Sequence, residues 1–304
     1  MKILIAGASG TLGARVAHRL LSGGHDVWGT TRGRIDVLAS AGVRPVVADL
    51  LDPAATREAV ASVAPEAIVQ VLNALPPAGP SKASDLLATN RIRADGTRNL
   101  VAAAEASGVG RYVAESFVLG YGSRPPGSPP LDESAPLARG LPDGMQDAVD
   151  ALAGLEQRVL GFGGIVLRFG VFYGHGVPSN DALAAAVRKR GVPVFGFPGV
   201  MPFVHIDDAA EAVAIALGSA QRGEIYNIAG THATFGEYVT ALAAATGAPS
   251  PRRLPRFAAR LGGAYRASML KANLRVATNK AFTGLGWRPS HPTLREGLAM
   301  PARR

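Results

Sequence analysis

The chain has 304 residues, 47% of them hydrophobic, enough apolar material for one large α/β domain or a nucleotide domain with a smaller appendage. Its lack of cysteine excludes disulfides, thiol catalysis and Cys-based metal sites; six scattered histidines without H-x-x-x-H spacing give no reason to expect a metal; and no apolar run reaches the roughly 18 residues that span a bilayer. A net charge of +9 comes with few aromatic residues and no base-reading motif, so it suits steering of an anionic cofactor or substrate better than a nucleic-acid partner.

Lys2–Ala6 is a short apolar strand pattern that runs straight into Gly7-Ala8-Ser9-Gly10-Thr11-Leu12-Gly13 and then into helical spacing from Thr11. A strand, a tight glycine turn and a helix N-terminus with free N–H groups are what a dinucleotide pyrophosphate needs. Gly7, Ser9, Gly10, Thr11, Leu12 and Gly13 are therefore expected to cradle it. With a first strand starting at the N-terminus and no leader or span in view, a cytoplasmic protein without a membrane partner is expected.

Strand and helix patterns then alternate: Val27–Thr31, a short helix near Ile35–Ala41, Arg44–Ala48, a helix near Pro53–Val63, and Ala67–Leu72. This order predicts an α/β fold, a Rossmann-type doubly wound parallel sheet. After the break at Pro76–Pro80 come a long helix over about Asp85–Ser107, a strand over Arg111–Ala114, a Pro/Gly-rich loop over Gly122–Pro142 and a helix over about Gly144–Gly161. Ile165–Phe169 is a further strand, Ala209–Ser219 a helix and Ile225–Ala229 a strand, with two more helical patterns towards the C-terminus; the basic stretch Arg252–Lys280 reads as solvated helix faces. Residues 1–174 are expected to be mainly the nucleotide domain, and 175–304 mainly a smaller substrate-binding region.

The order of these signals resembles the extended short-chain dehydrogenase/reductases, the NAD(P)-dependent epimerase/dehydratase group. The fragments that carry it are Gly7–Gly13, Ala48-Asp49-Leu50, Asn90 with Asp95-Gly96-Thr97-Arg98-Asn99-Leu100, Ser107–Val113, Leu167–Gly174, Phe203–Ala212, Tyr226–Gly230 and Leu285–Pro289. The resemblance implies that Asp49 and Leu50 lie near the adenine and that the backbone of Leu72, Asn73, Ala74 and Leu75 passes the phosphates and ribose. Where NAD-preferring relatives carry an acid at the tip of the second strand, this chain has Thr31 followed by Arg32 and Arg34. An arginine fork suits a 2′-phosphate, so NADP(H) is the expected cofactor.

The family's proton-transfer pair, Tyr-x-x-x-Lys, is missing. Counting back from Glu156 puts Ala148 at the Tyr position and Leu152 at the Lys position, and counting back from Tyr121-Gly122 puts Phe117 at the orienting Ser/Thr. Ser116 lies one residue earlier and reaches the site only if the strand end is irregular. Glu115 reads either as a catalytic carboxylate or as the partner of an arginine such as Arg168. Tyr121 and Tyr173 sit on loops that, by resemblance, approach the nicotinamide end, as substrate-orienting or packing residues. His205, Asp207 and Asp208 read as a structural joint and Asp147 and Asp150 as a solvated helix face. The expected function is an atypical NADP(H)-dependent oxidoreductase acting on a small organic carbonyl or enone. A redox-inactive regulator and a non-redox isomerase or cyclase in the same pocket stand as alternatives. The two long helices could pair across a two-fold axis in a homodimer.

Overall fold

The computed structural model describes residues 1–142, 144–262 and 270–299. In chain order the first half builds β1 (Lys2–Ala6), α1 (Thr11–Ser22), β2 (Asp26–Thr31), α2 (Ile35–Ser40), β3 (Arg44–Val47), α3 (Pro53–Val63) and β4 (Ala67–Gln70). It continues with α4 (Leu87–Arg91), α5 (Thr97–Ala106), β5 (Arg111–Phe117), α6 (Met145–Gly161) and β6 (Ile165–Phe169). The remainder adds β7 (Val171–Tyr173), α7 (Pro178–Arg188), β8 (Val200–His205), α8 (Ile206–Gly218), β9 (Glu224–Ile228), β10 (Thr231–Thr234) and α9 (Phe235–Ala245). A short helix, Leu294–Leu298, follows near the end.

Seven strands form one parallel sheet in the order β3-β2-β1-β4-β5-β6-β9, as the alternation predicts. Its central strands are apolar on both faces because both are covered. Ile3, Ile5, Val69 and Val113 pack with residues of α1 and α8, while Leu4, Ala6, Ile68 and Ala114 pack with residues of α3, α5 and α6. A second sheet, β10-β8-β7, sits with α7 and α9 in its own apolar cluster around Tyr173, Phe203 and Tyr238.

Two glycines fix the first turn. Gly7 has φ +99°, and a Cβ there would stand 2.8 Å from the Val71 carbonyl. A Cβ on Gly13 would fall 2.0 Å from the Gly7 carbonyl, so α1 lies directly on the turn only because that residue has no side chain.

The long helix expected over Asp85–Ser107 is interrupted. A 3-10 turn at Ala83–Leu86 leads into α4, and a π turn at Ile92–Gly96 separates α4 from α5. Such π turns recur at functional sites because they offset the side chains of one helix turn. The strand expected to stop at Ala114 continues to Phe117, held by regular pairing of Glu115, Ser116 and Phe117 with Leu167, Arg168 and Phe169. Helix α8 starts at Ile206, ahead of the expected Ala209, because His205 caps it by accepting the Asp207 N–H at 3.3 Å. The basic stretch Arg252–Lys280 lies partly outside the described residues; its described part holds a 3-10 turn at Arg256–Gly262.

Gly13→Ala tests the turn. Overpacking against backbone is expected to lower stability by about 1–3 kcal/mol and to weaken dinucleotide binding. Gly33→Ala, where a Cβ meets nothing within 4 Å, is expected to change neither; denaturant midpoints and a fluorescence titration with NADH read both.

Candidate active site

The predicted cofactor residues lie at the C-terminal ends of neighbouring strands, where doubly wound sheets bind nucleotides. Gly10 is the N-cap of α1 and supplies no capping side chain, so the first N–H groups of the helix keep their capacity for an anion. Leu12 and Gly13 are buried beneath the turn, and Ser9 and Thr11 are half-buried at its mouth. The residues present therefore fit a dinucleotide: the tight turn that leaves the first N–H groups of α1 open exists only because Cβ atoms at Gly7 and Gly13 would collide with backbone beneath it.

Beside the cradle, Leu50 is buried and its carbonyl accepts from Asn99 Nδ2 at 3.0 Å, which fixes the end of β3 to α5. Asp49 is exposed and its Oδ1 accepts from the Leu51 N–H at 3.0 Å. After β4, Leu72 is half-buried and Asn73 and Ala74 are exposed; the Ala74 N–H donates to Thr89 Oγ1 at 2.9 Å, which anchors the loop to α4. Thr31 is buried, and its Oγ1 accepts from the N–H groups of Gly33 and Arg34 at 3.2 and 2.7 Å, closing the turn after β2. Arg32 and Arg34 are both exposed.

One buried network holds the middle of the sheet. Arg168 on β6 grips Glu156 on α6 with two bonds, Nε to Oε1 at 2.8 Å and Nη2 to Oε2 at 2.6 Å, and neither side chain is more than 6% exposed. Ser116 Oγ donates to the same Glu156 Oε1 at 2.6 Å. Arg168 Nη1 donates to the Tyr121 hydroxyl at 2.6 Å, which in turn faces Asn227 Oδ1 and the Asp132 carbonyl, each at 3.0 Å. Burial works against the Arg168 charge, but the bonds from Glu156 outweigh it and hold its pKa above the usual value; burial raises that of Tyr121. The structure thus places Ser116 and Tyr121 together inside a closed network, with Ser116 in a regular strand rather than an irregular end.

Strand alternation turns Glu115 and Phe117 to the face opposite Ser116. Arg168, one of the two readings for Glu115, is committed to Glu156. Glu115 lies instead near Arg93, which the π turn carries, and near Asn73. Burial raises the Glu115 pKa to about 7, against the opposing pull of the Arg93 charge and the Asn73 amide, and its Oε2 is buried without a hydrogen-bond partner. Arg93 was not legible as a site residue; no spacing signal marks it, and only the π turn brings it here. Phe117 packs edge-on against Phe172 with ring centroids 5.7 Å apart. On α6, Ala148 and Leu152 are buried, while Asp147 and Asp150 are exposed.

Tyr173 sits elsewhere, in the core of the second sheet. Its ring stands edge-on to His205 at 5.4 Å, its hydroxyl lies 3.3 Å from the Thr293 carbonyl, and burial raises its pKa. Distant residues meet beside it: His205 stacks on His291 at 3.8 Å, and Asp208 accepts from the N–H groups of Ser290 and His291 at 3.0 Å each and faces His291 Nδ1 at 3.1 Å. These three side chains bring potential ligand atoms within 4.8 Å of one another, a grouping hidden by 83 residues of separation between Asp208 and His291. The Asp208 carboxylate holds Ser290 and His291 through those three contacts, which makes the group a clamp. Asp207 is exposed and bonded to Arg15 Nε at 3.0 Å. Among the described residues no helix is long and apolar enough to cross a membrane.

Comparison with known proteins gives this geometry relatives. Residues 3–229 match the profile of the NAD dependent epimerase/dehydratase family. A 3-diazoavenalumate denitrifying reductase from a Streptomyces species is 37% identical, with 98% of this chain and 99% of that protein aligned. In three dimensions the chain superposes on the UDP-glucose 4-epimerase of Thermus thermophilus in complex with NAD, at TM-score 0.76, 24% identity and 98% coverage of both chains. It also superposes on the dTDP-glucose 4,6-dehydratase DesIV of Streptomyces venezuelae with NAD bound, at TM-score 0.77 and 23% identity, covering 98% of this chain and 95% of that one. These findings correct the expected NADP(H): the family is NAD dependent and the matched structures hold NAD. Arg32 and Arg34 are exposed on a turn that Thr31 closes internally, and the turn itself fixes neither guanidinium as a phosphate fork.

Two substitutions test the site's electrostatics. Replacing Glu156 by Gln leaves the buried Arg168 charge poorly compensated and is expected to destabilise by about 3–5 kcal/mol in urea unfolding. Because the folded-state pKa of Glu115 is raised, this group's favourable contribution is present below its unfolded value and is lost as pH rises through about 7. Glu115→Gln is therefore expected to match the wild type near pH 4.5 and to exceed it by about 3 kcal/mol at pH 8.5, read as Tm against pH.

Proposed function

The chain belongs to the NAD dependent epimerase/dehydratase family and is an oxidoreductase of that superfamily, and on that basis we propose that it is a reductase of small arene diazo or diazonium compounds, using NADH. The observation that carries this reading is the apolar stretch of α6. Ala148 and Leu152 are buried where the family's resemblance puts a Tyr and a Lys. Reducing a simple ketone creates an alkoxide that needs a proton in the transition state, and a positioned acid typically contributes ~10²–10⁴-fold. A helix face that carries Ala148 and Leu152 at those positions suits an acceptor that forms no such alkoxide.

Diazo compounds meet that condition, and the Streptomyces relative is named as a denitrifying reductase of one. When bound, the dinucleotide supplies the hydride. Overall, Ar–N₂⁺ and that hydride give Ar–H and N₂: the C–N bond breaks, a C–H bond forms, and dinitrogen leaves with no proton consumed. The protein's part is to hold and orient. Gly7, Ser9, Gly10, Thr11, Leu12 and Gly13 bind the pyrophosphate, Asp49 and Leu50 the adenine, and Leu72, Asn73 and Ala74 the phosphates and ribose, beside the Thr31 turn. The Phe117 and Phe172 rings offer an aromatic wall to an arene. Glu115 opposes the cationic diazo group and can hold or return a proton if hydride adds first to nitrogen. Ser116 and Tyr121 act as positioning residues through Glu156 and Arg168, and Tyr173 packs the neighbouring sheet. An enone, whose hydride adduct is a stabilised enolate, is the competing acceptor.

The test is NADH oxidation with 4-methylbenzenediazonium, cyclohexenone and cyclohexanone in parallel, corrected for the reaction without protein. Loss of NADH absorbance matched one to one by toluene and N₂ is expected with the diazonium alone. Faster turnover of cyclohexenone or cyclohexanone, or no protein-dependent oxidation with the diazonium, overturns the reading.

A further inference from the structure

The net charge of +9 is not spread evenly over the chain. From Tyr238 to Arg295 there are ten arginines and lysines and no aspartate or glutamate, while the twenty-two basic and twenty-three acidic residues elsewhere nearly cancel. One short described segment concentrates this charge at the surface. Arg252, Arg253 and Arg256 are all exposed, and among the described residues none has a carboxylate oxygen within 4.0 Å. Among them stand Leu254, 41% exposed, and Phe257, which at 75% is the most exposed large apolar side chain of the described residues. Neighbouring backbone holds the segment in place. The Val194 N–H donates to the Arg252 carbonyl and the Leu254 N–H to the Val194 carbonyl, each at 2.9 Å, and Arg256 Nε donates to the Gly196 carbonyl at 3.0 Å. The Arg256 guanidinium lies over the half-buried Phe197 ring, 6.0 Å from its centroid.

We propose that this ledge docks a second protein through an acidic amphipathic helix. Charge selects the sign of the partner: arginines in a region without carboxylates attract a surface that brings them, and a guanidinium fork closes on a carboxylate with two parallel bonds. Phenylalanine and arginine are both enriched where proteins meet, and Phe257 supplies the apolar anchor. Strand addition is blocked by the backbone. In the bridge between Val194 and Arg253 the Arg253 N–H and C=O face the open edge, but Pro251 and Pro255 on that edge have no N–H to donate. An extended segment would find a single rung there, so recognition falls to side chains. A helix meets this demand, because carboxylates three and four residues apart share a face beside apolar positions that receive Phe257 and Leu254. The ordered Arg256 favours a partner of definite shape over a fluid lipid surface, since a side chain already fixed costs less to dock. The surface is independent of the proposed reaction and of the cofactor cradle.

The test is fluorescence anisotropy with the full chain and a labelled helical peptide of about 16 residues, glutamates on one face and leucine and phenylalanine on the other. Binding is expected to be at least about tenfold tighter than that of the same peptide with glutamine in place of glutamate. Arg253→Glu and Phe257→Ser are each expected to weaken it by about tenfold or more, whereas Arg57→Glu, the same charge change at an exposed position of α3, is expected to cost less than about threefold. NADH binding and Tm report that each variant is folded. Phosphatidylglycerol vesicles and an oligothymidylate are added as competitors. No binding of the glutamate peptide, equal binding of the glutamine peptide, or unchanged binding by Phe257→Ser overturns the proposal. So does an Arg57→Glu variant as impaired as Arg253→Glu, or displacement of the peptide by vesicles or oligothymidylate at lower concentration than by unlabelled peptide.

Discussion

The bidentate contact between Arg168 and Glu156 sets the terms for everything around it. Both charges are out of water, so the pair is tolerable only while every donor and acceptor is engaged, and Ser116, Tyr121 and Asn227 complete that requirement. Through them the contact joins β5, β6, β9 and α6 at a fixed register. A strand has only two faces. Once Ser116 is committed to Glu156, the residues on either side of it must point the other way, which is how Glu115 and Phe117 come to share the opposite face of β5.

Cofactor binding and reaction type are separable in this chain. The glycine cradle uses backbone and lack of side chains, and is complete. The α6 face beside it has alanine and leucine at the expected proton-transfer positions, both buried and well packed, so the change belongs to the structure rather than to a gap in it. Leu152 Cδ1 would lie 3.3 Å from a Cβ built on Gly120, which shows how tightly that face fills.

What could be read from the sequence was whatever is local. The strand–turn–helix at Gly7–Gly13, the alternation that implies a parallel sheet, and helices such as Pro53–Val63 follow from spacing within a dozen residues. Partnerships across the fold were not readable. Arg168 was one candidate partner for Glu115, but its Nε and Nη2 are both taken by Glu156 on α6. The apolar periodicity of Asp85–Ser107 runs unbroken through the π turn, because one extra residue per turn leaves the pattern almost intact while rotating Arg93 into place. Arg32 and Arg34 show why charge in a loop misleads: residue type is visible in sequence, but the direction in which an exposed turn aims it is not.

The clamp of Asp208 on Ser290 and His291 also bears on the order in which the molecule becomes whole. All seven strands of the large sheet are made by Ile228, yet the junction of β8 and α8 stays unfastened for some sixty further residues of synthesis, until residues 290 and 291 are available to it. On the ribosome the seven-stranded sheet is thus nearly finished while the junction of β8 and α8 is still unsecured. Two of the clamp's three contacts are made by backbone N–H groups, which no side-chain substitution at those two positions removes unless proline is introduced.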